Sequence, residues 1–268
     1  MRNFTLRKGF LESKCGTRSS FKGFVMLVVM MLMMANSAMA EVIDGLRYRL
    51  DADTKTATLL PKAGGNYSGD IIIPEKVKGN DGVEYVVTLL GASCFSDCSG
   101  LTSIIIPPFV TSLGDCCFSG CWGLTSITIP PLVTSLGLGC FSGCWGLTSI
   151  TIPSSVTSLG DYCFYYCSGL TSITIPSSVT SLGYDCFSDC KNLETVYFKG
   201  KKCDSNYKDL KIPTTSIIKV PKEYLQEYKE AFGSDYQYIF AWNPDEQEKI
   251  TSQLLHAPLL PFLTNPAN

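Results

Sequence analysis

The pattern C-F-x-x-C recurs five times, at Cys94/Cys98, Cys117/Cys121, Cys140/Cys144, Cys163/Cys167 and Cys186/Cys190. Paired thiols invite three chemistries. Four thiolates from neighbouring pairs, for example Cys117, Cys121, Cys140 and Cys144, could hold zinc, but zinc favours C-x-x-C knuckles on turns, and here every pair would repeat the claim. Disulfides suit an exported chain. Residues four apart in a helical turn, however, have Cα atoms ~6 Å apart with diverging side chains, whereas a bridge wants Cβ atoms within ~4.5 Å. The third role is the small apolar core residue, among the most buried types when free, and this is the expected one. Cys116 and Cys203 fall outside the pairs and are the expected exposed thiols.

Other reactive groups are sparse. His256 is the sole histidine and lies in a proline-containing tail, so a Ser-His-Asp or Cys-His relay has no credible base and no imidazole metal site is expected. The chain contains neither a phosphate-binding G-x-x-x-x-G-K-[ST] loop nor a dinucleotide fingerprint. Asp97, Asp115, Asp161, Asp185 and Asp189 occupy variable positions beside loops and read as solvated acids. The chain is therefore expected to be no enzyme and to need no cofactor or metal. No Lys or Arg stands between Lys78 and Lys191. A nucleic-acid partner, which requires clustered cations to displace counterions, is not expected.

The cysteines belong to a longer period. Copies starting at Leu90, Leu113, Leu136, Leu159 and Leu182 read L-G-x-x-C-F-x-x-C-x-x-L-x-x-I-x-I-P-x-x-V-x-x, a repeat of 23 residues. An irregular earlier copy, "IIIPEKV" (71–77), is followed by an insertion around "KGNDGVEY". A fixed period of this size marks a solenoid. Period-two alternation sends Ile127 and Ile129 inward and Thr128 outward, and the following proline closes the strand because it cannot donate to the next rung. "VTSL" is a second short extended piece carrying Val133 and Leu136 inward. Phe95, Phe118, Phe141, Phe164 and Phe187 form a stacked core spine. One coil buries too little to offset the ordering of its own backbone, so stability must belong to the array.

This pattern resembles the BspA-type leucine-rich repeats of bacterial and some protozoan surface proteins, over residues 71–198. It departs from them where Cys94, Cys117, Cys140, Cys163 and Cys186 replace the small residue usual before the phenylalanine. The resemblance implies a secreted or surface-displayed protein, several relatives being similar to adhesins that bind host matrix proteins or cells.

The flanks read as caps. "IDGLRYRLDADTKTATLL" (43–60) alternates in polarity around a turn, predicting a β-hairpin. "SIIKV" (216–220) predicts a strand ended by Pro221, "KEYLQEYKEAF" a helix with Leu225, Tyr228 and Phe232 on one face, and "YQYIF" (236–240) a last strand. Ahead of them, a basic stretch, the apolar run "FVMLVVMMLMMA" and "ANSAMA" form an export signal with an A-x-A site. The run is shorter than the ~20 residues of a membrane span, an uncut anchor being the alternative. The expected organisation is a signal peptide at 1–40, an N-terminal cap at 41–70, the repeat solenoid at 71–198, a C-terminal α/β cap at 199–242 and a loose tail at 243–268. The mature chain, without a transmembrane segment, is placed outside the cytoplasm, extracellular or at the cell surface, with the periplasm as the other possibility.

Candidate binding residues follow from the repeat. Trp122 and Trp145 share a position filled by Ser99, Ser168 and Lys191 in other coils. A position that accepts serine and lysine is exposed, so two indoles there make an apolar patch, with packing against the local loop as the alternative. Ser126, Thr128, Ser149 and Thr151 form a hydroxyl ladder on the sheet face, suited to a glycan or simply to solubility. The sequence thus reads as a mainly β leucine-rich-repeat solenoid that binds an extracellular or host protein, with a glycan as the alternative ligand.

Overall fold

In the computed structural model, described for residues 40–243, the chain winds as a right-through stack of short parallel strands. One long sheet starts with the antiparallel strands Ala40–Ile43, Leu46–Asp51 and Thr56–Leu60 and continues through Glu84–Leu90. Two-residue strands, Ser112–Leu113, Ser135–Leu136, Ser158–Leu159 and Ser181–Leu182, extend it. A second sheet holds Ser126–Thr128, Ser149–Thr151, Ser172–Ile175 and Thr195–Phe198, then Ile217–Pro221 and Ile239–Trp242. Pairing keeps the repeat in register: Ser135 faces Ser158, Ile127 faces Ile150, and Ile173 faces Val196. This is the solenoid the period demands.

The irregular first copy is a genuine turn of the stack. Gly69–Ile72 pairs in parallel with Leu101–Ile105, setting Ile71 against Ile104. The insertion that follows folds back as an antiparallel pair, Lys76–Lys78 against Glu84–Leu90. The N-terminal hairpin expected from residues 43–60 is present, with Asp51 opposite Thr56. It gains a third strand because Asp44 and Gly45, both at positive φ, reverse the chain once more. That strand includes Ala40, paired with Arg49.

A third ladder joins the coils along the C-F-x-x-C turn, where no strand forms. Amides alternate in use. Those of Ser93, Phe95 and Asp97 donate forward to the carbonyls of Asp115, Cys117 and Ser119 on the next coil, while Cys94, Ser96 and Cys98 close local turns to Gly91, Ser93 and Phe95. Two residues per turn adopt the left-handed conformation to make this possible. They are Ser93 and Asp97 in one coil, Cys116 and Gly120 in the next, then Gly139 and Gly143, Tyr162 and Tyr166, and Asp185 and Asp189. Only three of these ten are glycine, so the ladder sustains a backbone conformation that most side chains resist.

Inside, the phenylalanines form the expected spine. Phe95, Phe118, Phe141, Phe164 and Phe187 are fully buried, and their rings lie nearly parallel with centroids 5.2, 5.5, 5.6 and 5.8 Å apart. Tyr67 covers the first ring at 5.2 Å. The leucines, isoleucines and valines of the repeat fill the rest of the interior. Beyond Phe198 the core passes to a cluster of Tyr207, Tyr228 and Phe232, with the helix Leu225–Phe232 laid over it. The last strand starts at Ile239, later than "YQYIF" suggests, because Tyr236 is drawn down onto Phe232 and bonds the Ile212 carbonyl. No helix among the described residues is long and apolar enough to cross a membrane.

Candidate functional site

The paired cysteines are all buried and unbonded to one another. Burial raises the thiol pKa values of Cys94, Cys98, Cys117, Cys121, Cys140, Cys163 and Cys167, and pushes those of Cys144 and Cys190 up to about 12. A thiol held neutral is neither a nucleophile nor a metal ligand at neutral pH. Among the described residues no group of three or more His, Cys, Asp or Glu side chains could hold a metal ion. Cys116 is half-exposed, but Cys203 is not the exposed thiol the sequence suggests. It is 5% exposed, its thiol donates to the Val179 carbonyl at 3.1 Å, and its amide donates to the Tyr207 hydroxyl. The C-terminal cap, which lies beyond the period, wraps it. His256 and residues 1–39 of the export signal lie outside the described residues.

The surface is more informative. Trp122 and Trp145 sit on the turn edge, 51% and 45% exposed. Their rings stack at 5.0 Å with planes 2° apart. Each indole emerges between the second cysteine of its pair and a glycine that lets coils approach closely. A Cβ on Gly146 would strike the carbonyl oxygen of Trp122, and one on Gly169 that of Trp145. The stack is thus fixed by backbone contact beneath it.

Further aromatics extend this patch. Tyr166 packs on Trp145 at 5.9 Å, Tyr165 on Tyr166 at 5.7 Å, Tyr162 on Tyr165 at 6.0 Å, and Tyr184 on Tyr162 at 5.8 Å. Trp122, Trp145, Tyr162, Tyr166 and Tyr184 are all exposed. Repeat alignment alone misses the tyrosines because Tyr166 stands two positions before the tryptophan column. The three tyrosines of "YCFYYC", where other coils carry Ser, Gly, Asp or Cys, are the available signal. Acids border the strip: local burial, then Asp185, Tyr184 and Asp161, push the Tyr162 phenol up.

The hydroxyls occupy the adjoining sheet face. Ser126 pairs in register with Ser149 and Thr128 with Thr151, all exposed. Among the described residues these four hydroxyls make no side-chain hydrogen bond to protein, unlike Ser103, which donates to Asp70 at 2.6 Å. The structure therefore unites the tryptophans in one patch and the hydroxyls in another.

Comparison with known proteins places this architecture. No curated protein matches the chain. A leucine-rich repeat protein from T. pallidum shares the fold with a TM-score of 0.57 at 20% identity, over 72% of this chain and 96% of that one. A leucine-rich repeat protein from Bacteroides ovatus matches with a TM-score of 0.53 at 23% identity, over 69% of this chain. The match spans 56% of the length of that Bacteroides protein. A leucine rich cell surface protein from Faecalibacterium prausnitzii is more distant, with a TM-score of 0.45 at 23% identity, over 71% of this chain and 73% of its own. Residues 88–222 match the BspA type leucine rich repeat region in 6 copies. With half of its length in that match and its strands stacked in the same period, the chain belongs to the BspA-type leucine-rich repeat family.

Proposed function

We propose that the protein is an exported recognition module that binds a partner protein through the turn edge around Trp122 and Trp145. The observation that carries this reading is the stacked, half-exposed indole pair, continued by tyrosines on an edge without cations of its own until Lys191. Exposed aromatic groups held rigid by backbone cost little entropy to engage, and such anchors dominate binding energy at interfaces. The reading assigns the chain no catalytic role. The export signal at residues 1–40 and the surface setting of its relatives support an extracellular partner, and N-terminal sequencing of protein recovered outside the cytoplasm should begin at Glu41.

A glycan is the second reading, favoured by the in-register free hydroxyls of Ser126, Thr128, Ser149 and Thr151. A sugar site, however, combines a stacking ring with hydrogen bonds, and here the indoles and the hydroxyls lie in separate patches. The protein reading is the stronger.

The test is capture from extracellular-matrix and mucosal extracts, followed by affinity measurement on the identified partner. Replacing Trp122 and Trp145 together by Ser, the residue at Ser99 and Ser168, should weaken binding at least about tenfold while circular dichroism stays unchanged. Unchanged affinity in the folded variant would move the site to the hydroxyl face.

A further inference from the structure

The two ends of the aromatic strip differ, and the difference identifies what binds there. At the C-terminal end the position equivalent to Trp122 and Trp145 is Lys191, and its ammonium lies over the Tyr166 ring, 5.7 Å from the centroid. The protein supplies its own cation to that ring. At the N-terminal end the equivalent residue is Ser99, small and exposed. One face of Trp122 is covered by Trp145; the other looks toward Ser99, where no ring or cation stands in the column.

A carboxylate stands over the turn that carries Trp122. A Cβ on Gly120 would lie 2.6 Å from Asp97 Oδ1, so the Asp97 side chain sits directly over Gly120. The equivalent glycine one coil on, Gly143, faces Trp145, whose Nε1 would be 4.0 Å from such a Cβ. The two indoles are parallel, and the Asp97 carboxylate over Gly120 stands on the turn two residues before Trp122. Asp97 is exposed, and between described residues the ion pair found is Lys76 with Glu84, not Asp97 with any cation. A cation from the preceding turn, Lys62, has its ammonium over the Tyr67 ring at 5.9 Å and forms no ion pair with Asp97. Asp115, Asp161, Asp185 and Asp189 continue the negative border along the same turns.

An open indole face beside a carboxylate matches one chemistry best. A guanidinium can stack on the ring and pair with the acid at once, which an ammonium does less well and a neutral sugar does only in part. Resting on the protein-binding reading above, we infer that the partner engages this edge through a basic segment, with an arginine side chain stacked on Trp122 over Ser99 and paired with Asp97. Charge complementarity along the remaining acids then orients the segment and makes the association depend on salt.

The experiment titrates the mature protein with a blocked peptide of alternating Arg and Gly, (Arg-Gly)4, by calorimetry. The reference is the same peptide with citrulline for arginine, which keeps the planar side chain and removes the charge. The arginine peptide should bind at least about tenfold more tightly, and added salt should erase most of the difference. Asp97→Asn should remove much of it too; asparagine tolerates the left-handed backbone of Asp97, φ 56, so the fold is kept. Trp122→Ser should have a comparable effect. Equal binding of the two peptides, or an Asp97→Asn protein with full affinity, overturns the inference. So does binding of a neutral hexasaccharide that Trp122→Ser abolishes. A captured partner that loses affinity with the double tryptophan variant yet ignores Asp97→Asn and salt leaves the indole patch as the site and rejects the basic segment. A partner indifferent to both variants rejects both.

Discussion

The thiol of Cys144 donates a hydrogen bond to the carbonyl oxygen of Phe118 on the preceding coil, at 3.1 Å, and Cys121, Cys167 and Cys190 repeat the contact with Phe95, Phe141 and Phe164. The same carbonyls already accept a local amide, that of Cys121 in the case of Phe118. Each of these four cysteines is thus both a filler of the core and a tie between coils. Cys144→Ala removes the donor and leaves a small void, and should cost about 1–2 kcal/mol in chemical denaturation.

Thiol accessibility follows from the same burial. In native protein a thiol reagent should react with Cys116 alone among the described cysteines. Denaturant without reductant should release the rest. If unfolding exposes none until a reductant is added, the ladder is bridged rather than free.

Alkali should unfold the protein early. Burial raises the thiols of Cys144 and Cys190 from their ordinary value of 9.0 to about 12. Below pH 9 these thiols are protonated in both states and contribute no pH dependence. Between about 9 and 12 the unfolded chain loses protons that the folded chain retains, so stability falls as pH rises, by about 1.4 kcal/mol per pH unit for each such thiol. Denaturation midpoints measured from pH 8 to 11 should drop steeply, and Cys144→Ala should make the slope shallower.

The phenyl spine should respond as a unit. Phe141→Ala removes a fully buried ring stacked between Phe118 and Phe164 and should cost about 3–5 kcal/mol. Phe95 is equally buried, but its outer neighbour is Tyr67, tilted by 50°, so the damage of Phe95→Ala has fewer coils through which to spread. Hydrogen exchange across the array would separate the two; a Phe141→Ala midpoint like that of a surface substitution would reject the spine.

Gly146→Ala tests the joint beneath the indoles. Its Cβ would meet the Trp122 carbonyl, which is backbone and cannot swing aside. The coils must part, at about 1–3 kcal/mol, and the indole stack should loosen, visible as a changed near-ultraviolet circular dichroism signal. Gly64→Ala, with open space around its Cβ but a φ of 75°, should leave that signal alone.

Where the period ran, sequence was a sufficient guide. The buried faces of Ile127 and Ile129, the spine and the column of Trp122 and Trp145 each depend on one residue type recurring at one position. The turn ladder was illegible because its left-handed positions accept Ser, Asp, Cys, Gly and Tyr, leaving no compositional trace of a common backbone role. Cys203 was misjudged because its cover, Tyr207 and the Val179 carbonyl, comes from a cap outside the repeat. At the candidate site, Tyr166 and Lys191 approach one another from different columns of the repeat, a diagonal contact that alignment by column hides.

The sameness of the joints has a consequence for how such a molecule changes over generations. Ser135 meets Ser158 as Ser158 meets Ser181, so successive coils join in the same strand register. A copying slip that duplicates or drops one whole unit therefore leaves every junction intact and alters only the length of the exposed edge. A slip one residue longer or shorter would misalign three ladders at once and abolish folding. The gene can then lengthen or trim its row of surface rings in fixed steps, without renegotiating the interior.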